Sequence, residues 1–280
     1  MQSITLLTIF VLAFAPLVHA APNPLAIIRA GILETEDGQV TPPGWTHIPG
    51  ETVYVSFQVE GFTVSPKQTV QLTYRIEAMD SESVLLAEPV AAKVDAELSP
   101  QDKDWLPKVR HTVLIPPLAG PGMYRVQIAV RDELNGASAS KQIAFQVRGH
   151  AVEPSTTLVI RNFRFYRSEE DAEPLKVAAY RPGDALWARF DMTGYKLAEK
   201  NAYHVSYGLA VAAPSGKVIY TNPEAAVEKD SSFYPRRYQP AIMNLSLQPN
   251  MRPGEYSIVV TVRDHLGNQN FETKQVFRVD

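Results

Sequence analysis

One stretch occurs twice in this chain. Pro121-Gly122-Met123-Tyr124-Arg125-Val126-Gln127-Ile128-Ala129-Val130-Arg131-Asp132 is answered by Pro253-Gly254-Glu255-Tyr256-Ser257-Ile258-Val259-Val260-Thr261-Val262-Arg263-Asp264, a spacing of 132. Each copy reads as a Pro-Gly turn, a tyrosine, an alternating strand, and Arg-Asp opening the next turn. A repeat constrains the fold more than any local propensity does. Upstream, Pro49-Gly50-Glu51 matches Pro182-Gly183-Asp184 at a spacing of 133. At that spacing Val53, Val55, Phe57 and Val59 fall on Leu186, Ala188, Phe190 and Met192, and Tyr74 falls on Tyr207. What repeats is turn glycines and apolar residues at alternate positions, the set that one buried face of a sheet requires. Units of this length are too long for a solenoid repeat and suit one domain each.

The expected division is therefore an export segment at 1–20, a first β-domain at 21–150 and a second at 151–280, the two related by internal duplication. Ile4 to Val18 is almost wholly apolar, and Val18-His19-Ala20 places small side chains at a cleavage site, as in a signal peptide. Met1-Gln2-Ser3 carries no Lys or Arg, so an uncleaved anchor is the alternative. The mature chain has no expected membrane span. The sequence has no cysteine, which suits a bacterial periplasmic or extracellular protein better than a bridge-dependent eukaryotic module.

Alternation predicts strands over 25–32, 52–60, 69–76, 111–115, 124–130 and 140–147 in the first unit, with a counterpart set in the second. Asp80-Ser81-Glu82-Ser83 reads as a hairpin turn into a strand at Val84-Leu85-Leu86. The run 90–98 suits a helical turn or an edge strand. About seven short strands per unit, with frequent turn signals, predict an all-β fold of two tandem sandwiches. The short link 148–154 predicts an end-to-end pair, free to bend only slightly if the facing ends do not pack together.

At Pro-Gly-x-Tyr the chain resembles the immunoglobulin-like superfamily in its broad sense, including fibronectin type III-like and other disulfide-free bacterial modules. The resemblance implies that Tyr124 and Tyr256 act as structural tyrosine corners, each hydrogen-bonding back to the backbone upstream. It covers both units and concerns the fold, not an activity.

Charge gives no nucleic-acid footprint: residues 21–150 hold 11 basic against 15 acidic residues and residues 151–280 hold 16 against 15. No cofactor loop or nucleophile motif appears, and His47, His111, His150, His204 and His265 fall one to a segment as expected surface or edge residues. The expectation is no enzyme, no cofactor and no metal. Asp132-Glu133-Leu134-Asn135-Gly136 and Asp264-His265-Leu266-Gly267-Asn268 are read as turns whose Asp caps backbone, in preference to calcium loops.

Two elaborated loops align across the repeat, 99–107 and 231–238. Their Trp105, Phe233, Tyr234, Arg236, Arg237 and Tyr238, with Trp45, are the candidate binding residues, because aromatic and arginine side chains carry interface energy. Packing at the sandwich edge is the competing role for Trp105, Phe233 and Trp45. The function expected is non-catalytic binding of another protein in the envelope or outside the cell, as an adaptor, adhesion or assembly module. A polysaccharide is the second partner class, with Trp45, Trp105, Tyr234 and Tyr238 as sugar platforms. A periplasmic chaperone holding a client strand in the cleft between domains, or an enzyme accessory module, are the further alternatives.

Overall fold

The computed structural model describes residues 24–102 and 104–280. The expected export segment, 1–20, lies outside them. Strands account for most of the described chain, and its only helical element is a 3-10 turn at Glu199–Asn201.

The first unit packs two sheets. One is ordered β1 (Ala26–Leu33), β3 (Thr52–Glu60), β6 (Lys108–Leu114). The other is ordered β2 (Thr46–His47), β8 (Ser138–Val147), β7 (Gly122–Asp132), β4 (Thr69–Met79), β5 (Val90–Glu97). The second unit repeats this. Its small sheet is β9 (Val159–Tyr166), β11 (Ala185–Thr193), β14 (Tyr238–Ser246). Its large sheet is β10 (Ala179–Tyr180), β16 (Gln269–Val279), β15 (Gly254–Asp264), β12 (Tyr203–Ala212), β13 (Val218–Asp230). All pairings are antiparallel except the short β2 and β10, which run parallel to the last strand of their unit. Among the described residues no ladder joins the two sandwiches.

The cores are the residues the repeat singles out. Val53, Val55, Phe57 and Val59 face Val70, Leu72, Val126, Ile128 and Val130. Leu186, Ala188, Phe190 and Met192 face Val205, Ile258, Val260 and Val262. Burying each such large apolar side chain stabilises the fold by roughly 1.5–3 kcal/mol. At the opening of β7 and of β15, Tyr124 donates to the Gly120 carbonyl at 2.8 Å and Tyr256 to the Arg252 carbonyl at 2.9 Å.

One local expectation needs correcting. Val84-Leu85-Leu86 is not a strand; only a single bridge, Met79 to Leu85, forms there. The Asp80 carboxylate accepts the Glu82 and Val84 amides, both at 2.8 Å, so the chain turns tightly and Leu86 folds into the core. After Pro89 the run 90–97 becomes β5, pairing Ile76 with Val90. Of the two places expected for His47, surface or edge, it takes the edge: it lies on the edge strand β2 with its ring turned inward. The parallel pairing of β2 with β8 sets it edge-on to Phe145, buried, with Nδ1 3.0 Å from Glu51.

Candidate functional site

The two sandwiches meet at a junction built by three elements: the β4–β5 turn of the first, the linker 148–154, and the β13–β14 loop, 231–237, of the second. Buried Asp80 is its centre. One carboxylate oxygen caps its own turn; the other accepts the Tyr234 hydroxyl at 2.8 Å and the Arg237 guanidinium at 3.0 Å. Arg237 also reaches Glu82 at 2.9 Å. Tyr234 is buried among the apolar residues of the first sandwich although its own chain segment belongs to the second. Burial, reinforced by its bond to Asp80, pushes the Tyr234 phenol far above the ordinary tyrosine range.

The linker is tied down on both sides. Gly149 lies so close to the first sandwich that a Cβ there would collide with the Ala119 carbonyl oxygen, so only glycine fits. His150 Nε2 stands 2.7 Å from the buried Asp191 carboxylate, which Asn162 Nδ2 also meets at 2.7 Å. Asn162 is the left-handed residue of a bulge in β9, a conformation that asparagine tolerates. Its amide donates onward to the Ala151 carbonyl at 3.3 Å. The facing ends thus pack together through side chains from both units. A cavity of about 230 Å³ remains between Glu82, Tyr124, His150, Tyr234, Arg237 and Tyr238.

The residues read as a binding set take different places. Trp45 is 44% exposed and Phe233 48% exposed. Trp105 is half-buried, packed edge-on against Phe62 with ring centroids 5.9 Å apart. Tyr234 and Tyr238 are buried, Tyr238 against the His150 ring. Arg236 pairs with Asp230 at 2.8 Å and donates to the Tyr203 hydroxyl at 2.7 Å. Arg237 belongs to the Asp80 cluster. The loop 231–237 therefore presents one aromatic ring, Phe233, to solvent and spends its other large side chains on the molecule itself. Asn201 holds it in place by donating to the Phe233 carbonyl at 2.6 Å.

A second feature lies on the first sandwich, at the open side of β2. A groove of about 430 Å³ runs between the 40–45 segment and the β7–β8 pair. Val40, Pro42, Pro43, Trp45, Met123 and Ile143 line it. Val40 is 60% and Met123 55% exposed, so the groove is a continuous apolar surface open to solvent. Trp45 was a sequence candidate. Met123 and Val40 were not: the β7–β8 and β2–β8 pairings bring Met123 beside it, and a bridge to Leu33 brings Val40.

His204 and His265, each alone in its sequence segment, stack at 4.2 Å because β12 and β15 pair in that register. Burial, and then the neighbouring His265, hold the His204 imidazole below its ordinary pKa. His265 Nε2 lies 2.8 Å from Ser206. Among the described residues no group of three or more His, Cys, Asp or Glu side chains converges as metal ligands would. The Asp132 and Asp264 carboxylates are filled by backbone amides. Asp132 takes Thr63 and Leu134; Asp264 takes Lys196, Leu266 and Gly267.

No family model and no curated protein matches the chain. Among solved structures it is similar to the C-terminal domain of the Streptococcus agalactiae AgI/II polypeptide BspA, with 12% identity, 91% of this chain and 100% of that one covered, and a TM-score of 0.31. It is also similar to the C-terminal domain of the Streptococcus pyogenes antigen I/II-family protein AspA, with 11% identity, 92% and 100% covered, and a TM-score of 0.32. A family 123 glycoside hydrolase from Clostridium perfringens matches over 44% of this chain and 27% of its own, at 16% identity and a TM-score of 0.30. At such scores the likeness assigns nothing, and the sandwich architecture rests on this chain's own strand pairings. No helix among the described residues is long and apolar enough to cross a membrane.

Proposed function

We propose a non-catalytic, exported tandem of immunoglobulin-like sandwiches, arisen by duplication, that binds another protein in the cell envelope or extracellular space. The observation that carries this reading is the open apolar groove around Trp45. Tryptophan is among the residues that dominate interface energy when a partner desolvates it. Methionine beside it adapts to a partner's shape. The groove is also particular to one unit. By the parallel pairings, Trp45 of the first sandwich corresponds to Ala178 of the second, and by the β7–β8 and β15–β16 ladders Met123 corresponds to Glu255. The large ring becomes a small methyl and the thioether becomes a carboxylate, so the second sandwich has no equivalent surface there.

The other readings find less support. Of the four aromatics a sugar platform would use, Tyr234 and Tyr238 are buried and Trp105 leans on Phe62, which leaves Trp45. The space between the sandwiches, where a chaperone would hold a strand, is occupied by Tyr234 and Arg237.

The test is parallel capture from envelope extract with the wild type and with Trp45→Ala plus Met123→Ala, alongside retention on cell-wall polysaccharide. The same protein held by the wild type and lost by the variant supports the reading. Polysaccharide retention lost by the variant moves the assignment to a carbohydrate module. Capture that ignores the variant removes the groove as the site.

A further inference from the structure

The far edge of the large sheet in the second sandwich carries a second surface, independent of the Trp45 groove. β13 is the outermost strand, with no neighbour beyond it among the described residues. Its opening residues Val218, Ile219 and Tyr220 are 55%, 50% and 45% exposed. The segment Val218–Asn222 carries no charge and is rich in β-branched and aromatic residues, so its unpaired backbone is a ready template for another strand. Beside it a groove of about 380 Å³ opens between the two sheets, walled by Tyr220, Leu245, Leu247 and Met251. The counterpart strand of the first sandwich, β5, is protected: its outward positions include Lys93, Asp95 and Glu97.

We infer that the β13 edge docks an extended strand of a partner polypeptide, antiparallel to it, with apolar residues at alternate positions and basic residues at one end. Alternate side chains of an added strand point to one face, so every second residue enters the groove. Pro223 has no amide to donate and its carbonyl is taken by Arg263 at 2.7 Å, so the new ladder stops there. Past that point the partner meets Glu224 and Glu228. Both are exposed, and neither has an ion-pair partner among the described residues, whereas Asp230 is matched by Arg236. Basic residues complete that stretch.

A second copy of this chain fits less well. Two-fold pairing over the whole of β13 would set Glu224 against Glu224 of the other copy, like charges directly opposed. Pairing over Val218–Asn222 alone spans only about 17 Å. That falls short of the roughly 800 Å² per partner that a stable dimer buries.

The probe is a labelled peptide of two lysines followed by alternating valine and threonine, titrated into the purified protein and followed by fluorescence anisotropy and amide exchange. Binding with slowed exchange at Val218–Asn222 is expected. Tyr220→Lys should weaken it about tenfold or more, since a charge enters the groove. Glu224→Lys with Glu228→Lys, both on the surface, should weaken it less and flatten its salt dependence. Trp45→Ala should leave it unchanged, which separates this surface from the proposed groove. Absence of binding, equal binding by all variants, or protection elsewhere overturns the inference. Sedimentation showing a wild-type dimer that Tyr220→Lys dissociates also overturns it, in favour of a second copy.

Discussion

The two sandwiches share strand order, short parallel edge strands, a tyrosine bonded back to the backbone at the start of β7 and β15 and a buried aspartate at their end, yet they differ wherever a side chain leaves the core. The first exposes Trp45 and Met123 where the second has Ala178 and Glu255. The second exposes Val218, Ile219 and Tyr220 on its outer strand where the first has an alternating, charge-bearing β5. The elaborated loop of the first turns Trp105 back onto its own Phe62; that of the second sends Tyr234 into its neighbour. A shared strand order constrains the inward positions, because a core accepts few changes of volume. Outward positions are free of that constraint, and there the two sandwiches differ.

The comparison is broken most severely by alkali. Burial raises the phenol pKa of Tyr180, Tyr195, Tyr203, Tyr207 and Tyr238 in the second sandwich, of Tyr124 in the first, and of Tyr234 where the second reaches into the first. A raised folded pKa means the protonated form is favoured in the native state. That stability is complete below the unfolded tyrosine pKa of about 10 and is lost as pH rises towards the folded values. Above pH about 10 the second sandwich should therefore unfold before the first, seen as loss of amide protection confined to 159–279. Simultaneous loss in both halves would show that the junction makes them one cooperative unit.

Next in size is Asp80→Ala. It leaves Arg237 and Tyr234 without their buried partner and uncaps the β4–β5 turn, at a cost of about 3 kcal/mol in denaturant unfolding. It should also free the angle between the sandwiches, read as a larger radius of gyration by X-ray scattering. An unchanged radius would assign the rigidity to the linker contacts of Gly149 and His150 instead.

The buried aspartates separate the copies more finely. Asp132→Ala orphans the Thr63 and Leu134 amides, whereas Asp264→Ala orphans those of Lys196, Leu266 and Gly267. Each loss should cost about 2 kcal/mol or more, with the second sandwich losing more than the first. Equal melting shifts would mean that solvent reaches these amides. Smallest are Tyr124→Phe and Tyr256→Phe. Each removes one hydrogen bond to a backbone carbonyl, at about 1 kcal/mol, and each should lower the melting of its own sandwich.

Much of the frame was legible because alternation and turn residues are local. β3 has the bounds that period-two patterning assigns, and β7 and β8 differ from expectation only at their ends. Val84-Leu85-Leu86 misled because an apolar run beside a turn looks like a strand. Two amides bonded to Asp80 decide otherwise, and the side-chain geometry that makes those bonds has no sequence period. The site residues were less legible still. Tyr234 and Phe233 are adjacent aromatics in one loop, and nothing local distinguishes the one that enters the neighbouring sandwich from the one that faces water.

The sequence by itself determined the twice-occurring, inward-facing lattice of apolar residues and the turns that separate its strands, since each needs only the period of a pleated strand and the φ preferences of a few residues. Tertiary structure alone decided which surfaces stay open. Met123 beside Trp45, His204 on His265, and Asp80 against Tyr234 are contacts between residues far apart in the chain. They exist only once strand register and the angle between the sandwiches are set.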